Sequence, residues 1–148
     1  MADTRLVETS RRAPRAVLCL STAAYLCGLA STAPTKFWLA LPQGANAVKV
    51  EAVEHRWIRW SYAGAFTVGI VEAAIEGVTV RWTGPSRTVV DLVRYARHLR
   101  SLRPGVEAAR RYVEAGGHPD ELLAVANEVH APAAALESIT MLTMLLKE

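Results

Sequence analysis

Cysteine is scarce in this sequence: the chain has two, Cys19 and Cys27. If both lie on one helix, they are separated by about 12 Å at a rise of about 1.5 Å per residue, which is too far for a disulfide. With no further ligand nearby in the sequence, the pair is also a poor metal site. We therefore expect two small buried side chains in a cytoplasmic protein, where thiols stay reduced.

Lysine is scarce as well, with three residues against fourteen arginines, although the net charge is only +3. One group of arginines lies near the N-terminus, at Arg11, Arg12 and Arg15. A second group supplies our candidate contacts for a partner or for nucleic acid: Arg87, Arg94, Arg97, Arg100, Arg103, Arg110 and Arg111. Such groups attract phosphate backbones or acidic protein surfaces. Interspersed with Glu107 and Glu114, they are equally typical of the outer faces of helices.

Patterns that carry catalysis are missing. The four histidines show no metal-ligand spacing, and the sequence contains neither a Gly-rich phosphate loop nor a Gly-x-Ser-x-Gly motif. A metal-dependent nuclease needs clustered carboxylates, and the only plausible set near the strands is Glu72, Glu76 and Asp91. Asp91 is better explained by Arg87, four residues before it. We predict no catalytic, cofactor-binding or metal-binding residues, and hence a protein that is not an enzyme.

The longest apolar stretch, residues 16–30, is too short to cross a bilayer comfortably. It follows three arginines and ends in small residues, an order that mimics a secretory signal. Ser21, Thr22 and Tyr25 interrupt it, which favours a buried N-terminal helix and no membrane partner. The length of 148 residues predicts one domain, with residues 1–10 a poorly ordered or residual arm.

The chain changes character at one strand–turn–helix stretch. Residues 78–83 alternate as a half-buried strand, and Gly84-Pro85 ends it. Ser86 or Thr88 is expected to cap the following helix. The apolar positions at helical spacing predict the buried face, and the opposite positions a solvated charged face. The buried face comprises Val89, Leu92, Val93, Ala96 and Leu99; the solvated face comprises Arg87, Asp91, Arg94 and His98.

Further strands are predicted over residues 36–41, 55–62 and 68–75, the last joined to 78–83 by a hairpin turn at Glu76-Gly77. Residues 48–53 fit either a strand or a loop. Arginines and aromatics alternate in residues 55–62, which suits base stacking. A half-buried sheet face edged by arginine stems gives the same pattern and is the preferred interpretation.

Helices fill the rest of the chain. Pro104-Gly105 is expected to break the first, Gly116-Gly117 to end the second, and Pro119 to begin the third. A last helix over residues 133–146 is apolar on almost every side, so it must lie in a core or against a partner. The fold class is therefore α+β: a small, mostly antiparallel sheet in the middle third, packed by an N-terminal helix and a C-terminal group of about four helices.

The order of several segments resembles a known family. They are Pro14–Ala24, Phe37–Pro42, Thr67–Ile70, Gly77–Val80 and Arg87–Asp91. From about residue 11 to residue 146, the sequence resembles the antitoxin region of the AbiEi family, the antitoxin and transcriptional-regulator half of AbiE-like toxin–antitoxin pairs.

That resemblance implies a non-enzymatic antitoxin domain without a cofactor, which neutralises a nucleotidyltransferase-like toxin and need not form a stable complex with it. Family members typically carry an N-terminal winged helix that binds their own operator. This sequence begins where such a module should end, so we expect either a stand-alone antitoxin domain or a DNA-binding part that is encoded elsewhere. The alternative hypothesis is a DNA-binding regulator of its own operon that uses the two arginine groups.

Overall fold

The computed structural model describes residues Thr4–Lys147, and in that range five strands form one sheet. The strands are β1 (Val17–Leu18), β2 (Phe37–Pro42), β3 (His55–Trp60), β4 (Ile70–Ile75) and β5 (Val78–Thr83). The helices are α1 (Thr4–Arg12), α2 (Leu20–Leu26), α3 (Pro85–Arg94), α4 (Ala96–Leu99), α5 (Arg103–Glu114), α6 (Pro119–Glu128) and α7 (Ala133–Leu146).

The predicted α+β class is confirmed, but the sheet is mixed rather than mostly antiparallel. Its order is β3-β2-β1-β5-β4. The β1–β2 and β4–β5 pairs are antiparallel, whereas β2–β3 and β1–β5 are parallel. The long connection between β2 and β3, which includes residues 48–53, forms no strand and lets the chain return in the same direction. Strand alternation carries no information on direction, so the sequence did not reveal this.

The N-terminal region differs most from the prediction. Residues 4–10, expected to belong to a poorly ordered arm, form most of α1, whose buried Leu6 and Val7 face the rest of the protein as α1 packs against β5. Residues 1–3 lie outside the described range. The apolar stretch 16–30 is not one helix but a short strand followed by α2.

Cys19 and Cys27 flank α2 rather than sharing its interior. Cys19 is fully buried, as expected, and burial raises the pKa of its thiol. Cys27 is half-buried, and its Sγ lies 3.4 Å from the Thr83 carbonyl oxygen, to which it donates. Both are free thiols.

The strand–turn–helix stretch is present, with two local changes. The hairpin turn is at Glu76-Gly77, where both residues have positive φ, 51° and 77°, as a two-residue type I′ turn requires. Neither Ser86 nor Thr88 caps α3, because Gly84 occupies the N-cap position and Pro85 begins the helix. The Thr88 hydroxyl instead donates to the Thr83 carbonyl at 2.9 Å, tying the helix back to the strand.

The helix that follows is shorter than predicted. It ends at Arg94, and the single turn α4 follows before the chain reverses at Arg100. Pro104 therefore lies in the first turn of α5, where its missing N–H costs nothing, instead of breaking a longer helix. Five helices, not four, follow the sheet within the described residues, and none of the helices there is long and apolar enough to cross a membrane.

Strands β1 and β2 contribute buried residues to both faces of the sheet, so a core lies on each side. The larger core contains α3. Leu39 and Leu41 of β2 point into a smaller core with α1, and Ala40 points to the opposite side. There α3 packs against α2, α5, α6 and α7. Leu92 and Val93 are buried and Ala96 is half-buried, as predicted, but Arg87 and Asp91 of the predicted solvated face are buried as well.

Leu92, with 1% of its surface exposed, provides a test of this packing. Leu92→Ala should lower the free energy of unfolding by about 2–5 kcal/mol, because it removes buried methyl groups and leaves a cavity. Leu102→Ala is the control: that side chain is 41% exposed, and the change should stay within about 0.5 kcal/mol. Equal losses in urea unfolding of the two variants would contradict the assignment.

Candidate functional site

Arg87 was predicted to lie on a solvated face and to contact a partner, and the structure shows that this is wrong. Its side chain and that of Asp91 are both 0% exposed. A guanidinium without exposed surface cannot contact another macromolecule while the domain is folded. The reason is that α3 is buried on nearly all sides, since residues 87–93 are all buried.

The buried guanidinium is surrounded by acceptors and rings, a set that we call the Arg87 cluster: Arg87, Asp91, Trp60, Tyr62, Ala65 and Val68. Arg87 Nε donates to both Asp91 carboxylate oxygens at 3.1 Å. One terminal nitrogen donates to the carbonyls of Ala65 and Val68, at 2.9 and 2.8 Å. The other donates to the Tyr62 hydroxyl at 3.0 Å, and the guanidinium carbon lies 4.4 Å from the centre of the Trp60 ring. All three nitrogens are therefore satisfied, as a buried charge requires.

This cluster holds the segment between β3 and β4, residues 61–69, against α3. Gly69 lies at the closest approach, where a Cβ would come within 2.7 Å of Arg87 Cβ, and its φ is +66°. No side chain fits there, so glycine is required. Burial raises the pKa of the Asp91 carboxyl, and the Arg87 guanidinium beside it opposes that shift.

Arg94, about two helical turns after Arg87, is half-buried and joins the same segment to α6. Its guanidinium carbon is 4.0 Å from the centre of the Tyr62 ring, a cation–π distance. Its terminal nitrogen donates to the Val129 carbonyl at 2.7 Å. Arg94 is therefore mainly engaged inside the domain and offers a partner only its exposed edge.

The other predicted arginines lie at the surface, and we call them the arginine surface: Arg97, Arg100, Arg103, Arg110 and Arg111. Carboxylates divide it: Arg103 Nε is 3.2 Å from Glu107, and Glu107 and Glu114 line the same open groove as Arg110 and Arg111. Near the N-terminus, Arg11 pairs with Glu8 and Arg12 donates to the Lys49 carbonyl. Local field strength is thus lower than the arginine count implies.

The carboxylates that we considered for a nuclease do not meet. Asp91 is in the core, whereas Glu72 is exposed and lies 3.4 Å from Arg81 on the neighbouring strand. In the part of the chain that the structure describes, no three His, Cys, Asp or Glu side chains are grouped as metal ligands. The sheet face of β3 fits the preferred interpretation, with Ile58 and Trp60 buried and Arg56 and Arg59 exposed.

The last helix has one buried side and one apolar exposed side. Ala135, Ile139 and Thr143 face the core, where α7 packs against α6, α3 and α5. Met141, Met144 and Leu145 are 64%, 66% and 60% exposed. We call these three the α7 stripe. Exposed apolar side chains grouped on one helix face are typical of surfaces that bind another macromolecule.

Sequence reasoning missed the Arg87 cluster, although a signal was present. Residues 88–93 read Thr-Val-Val-Asp-Leu-Val, so apolar side chains occur on every side of the helix. A helix that is apolar all round is a buried one, and a charged i,i+4 pair inside it must then be buried with it. Only the tertiary fold, however, identifies Tyr62 and the carbonyls of residues 65 and 68 as its partners.

Together, these observations define a small α+β domain with a buried ion pair at its centre. Its surface carries exposed arginines interspersed with carboxylates and, separately, the apolar α7 stripe. The family model for the AbiEi antitoxin C-terminal domain matches residues 16–146, and the chain belongs to this family. The resemblance inferred from the sequence is therefore confirmed, and with it an antitoxin role in a toxin–antitoxin system. No curated protein matches this sequence.

The Arg87 cluster should control stability. Arg87→Met leaves the Asp91 carboxylate buried without its partner, and should lower the free energy of unfolding by about 3–5 kcal/mol. Arg103→Met, which breaks an exposed i,i+4 pair, should cost about 0–1 kcal/mol. Adding Asp91→Leu to Arg87→Met should recover part of the loss. Similar unfolding midpoints in urea for Arg87→Met and Arg103→Met would show that the buried pair is not required.

Proposed function

We propose that this domain neutralises a cognate nucleotidyltransferase-like toxin and does so without catalysing a reaction. The observation that supports it is the family match, which extends over residues 16–146 and so covers the sheet and all the helices after it. The family is one of antitoxins, and an antitoxin acts on a toxin partner. Asp91 forms a fully buried ion pair with Arg87, which is consistent with a structural role for this carboxylate rather than a catalytic one.

Two surfaces are proposed for contact with the toxin, if neutralisation is direct. The α7 stripe offers exposed apolar area without charge, which is favourable to bury. The arginine surface offers positive charge, which would steer an acidic partner and set its orientation. Of the seven arginines in our prediction, Arg87 is excluded by its burial and Arg94 is largely engaged, which leaves five exposed ones.

Growth rescue tests the proposal. The neighbouring open reading frame is expressed inducibly in a host, with and without this domain, and growth should be arrested in the second case only. A pull-down of the same pair then separates direct from indirect neutralisation. A toxic neighbour that still arrests growth when this domain is present and soluble would refute the antitoxin function.

The surface assignment has its own test. Met141→Ser combined with Met144→Ser should weaken rescue and pull-down together, because both side chains belong to the exposed stripe. Leu102→Ser is the matched control, since it also replaces an exposed apolar side chain by a polar one but lies outside α7. Unchanged unfolding curves would confirm that the fold survives. Full rescue and capture by the double variant would exclude the α7 stripe.

A second proposal is a DNA-binding regulator, for which the exposure of five arginines and of Arg11, Arg12 and Arg15 is the favouring observation. Contacts with phosphates release counterions, so binding to the upstream DNA of its own operon should weaken by orders of magnitude between low and moderate salt. Titration of that DNA at several salt concentrations measures the effect. An absence of binding at low salt would remove this proposal.

A further inference from the structure

A cleft lies between the start of β2 and the end of α4. It shares only Arg100 with the surfaces proposed above. It has a volume of about 580 Å³ and is lined by Ser21, Lys36, Trp38, Arg56, His98, Leu99 and Arg100. Small-molecule sites typically span about 300–1,000 Å³. The cleft has a size that suits one small molecule and is assembled from α2, β2, β3 and α4, so the tertiary fold alone creates it.

The charges around this cleft are of one sign. Lys36, Arg56 and Arg100 supply three cations, and none of the lining residues is acidic. Arg56 also forms an ion pair with Glu54 at 3.5 Å, in which both side chains are exposed, and it donates to the His55 carbonyl at 3.1 Å. Within the described residues, neither Lys36 nor Arg100 forms an ion pair. Three cations that converge on a concave surface without an acid among them favour a multiply charged anion.

An aromatic wall accompanies the cations. Trp38 is half-buried, and its backbone is fixed on both sides: its N–H donates to Thr22 Oγ1 at 2.8 Å, and its carbonyl accepts from Cys19 N–H at 3.1 Å. In the β2–β3 register Trp38 is paired with Arg56, which places the two residues on the same face of the sheet. A partly exposed tryptophan in a cleft lined by cations provides a stacking surface for a base.

The backbone at Arg100 is held in an unusual conformation at the rim of the cleft. Its φ is +59°, in the left-handed region that bulky residues rarely adopt. The helix end that imposes this conformation is closed by hydrogen bonds from Arg100 N–H to Arg97 and from Ser101 N–H to Ala96. Glycine or asparagine normally occupies such a position. An arginine here carries a backbone cost that glycine would avoid, and we relate that cost to the charge it brings to the cleft.

We propose that this cleft binds a free nucleoside phosphate, with the phosphates held by Lys36, Arg56 and Arg100 and the base against Trp38. Arginine and lysine together recognise phosphate oxygens, arginine through two parallel hydrogen bonds. The Trp38 ring and Leu99 supply apolar surface for the base. Inorganic phosphate, which has no base, would not need that surface. The inference goes beyond the antitoxin role and does not rest on it.

Calorimetric titration of the purified domain with ATP tests the proposal, and saturable binding with one site per chain is expected. Lys36→Gln and Arg100→Asn should each weaken binding about tenfold or more, because each removes a charge-assisted hydrogen bond. Arg97→Gln is the control on the same helix turn: it is exposed but does not line the cleft, and affinity should change by about twofold or less.

Two further measurements test whether the base is recognised and whether the Arg100 variant remains folded. Trp38→Leu should remove the preference for ATP over tripolyphosphate, since only ATP has a base to stack. Arg100→Asn should keep the melting temperature at or above that of the unmodified domain, because asparagine tolerates the left-handed conformation. The combination of lost binding and retained stability would separate a ligand-binding role of Arg100 from a structural one.

Three results would overturn the proposal. The first is no saturable ATP binding at millimolar ATP. The second is ATP binding that Lys36→Gln and Arg100→Asn leave unchanged. The third is binding of short single-stranded DNA that those variants weaken, with no binding of ATP, which would assign the cleft to a nucleic-acid strand instead of a free nucleotide.

Discussion

A single buried ion pair organises this domain. Arg87 and Asp91 lie side by side on α3 with no exposed surface, and the guanidinium also binds a tyrosine hydroxyl and two carbonyls of the segment between β3 and β4. Such a pair gains little over a well-packed apolar one, but it is costly to break once formed. Three of its partners lie in residues 61–69, so the pair fixes the position of that segment against α3.

The burial of this pair determines which side chains remain available at the surface. Since α3 is enclosed by α2, α5, α6 and α7, its charged side chains are used inside the domain. The features open to other molecules lie at the periphery: the arginine surface on α4 and α5, the α7 stripe, and the basic cleft at the start of β2. The interior supports the fold, and the outer elements carry the surfaces that we propose for contact with a partner.

The sequence predicted the local elements well. The hairpin at Glu76-Gly77, the apolar phase of α3 and the start of α6 at Pro119 each depend on neighbours within a few residues, so their patterns are legible in one dimension. The errors share a cause. Residues 4–10 are mostly polar, yet the burial of Leu6 and Val7 is enough to pack this helix against the domain. Arg87 was assigned to a solvated face because the helices that surround α3 are not visible in the local sequence.

By itself, the sequence determined the α+β class, the family and the central strand–turn–helix, because periodicity, turn residues and motif order are properties of neighbouring positions. The tertiary structure alone decided the parallel pairing of β2 with β3, the partners of Arg87 and the convergence of Lys36, Trp38, Arg56 and Arg100 on one cleft. Each joins residues far apart in the chain, and burial and proximity of that kind arise only when the layers pack together.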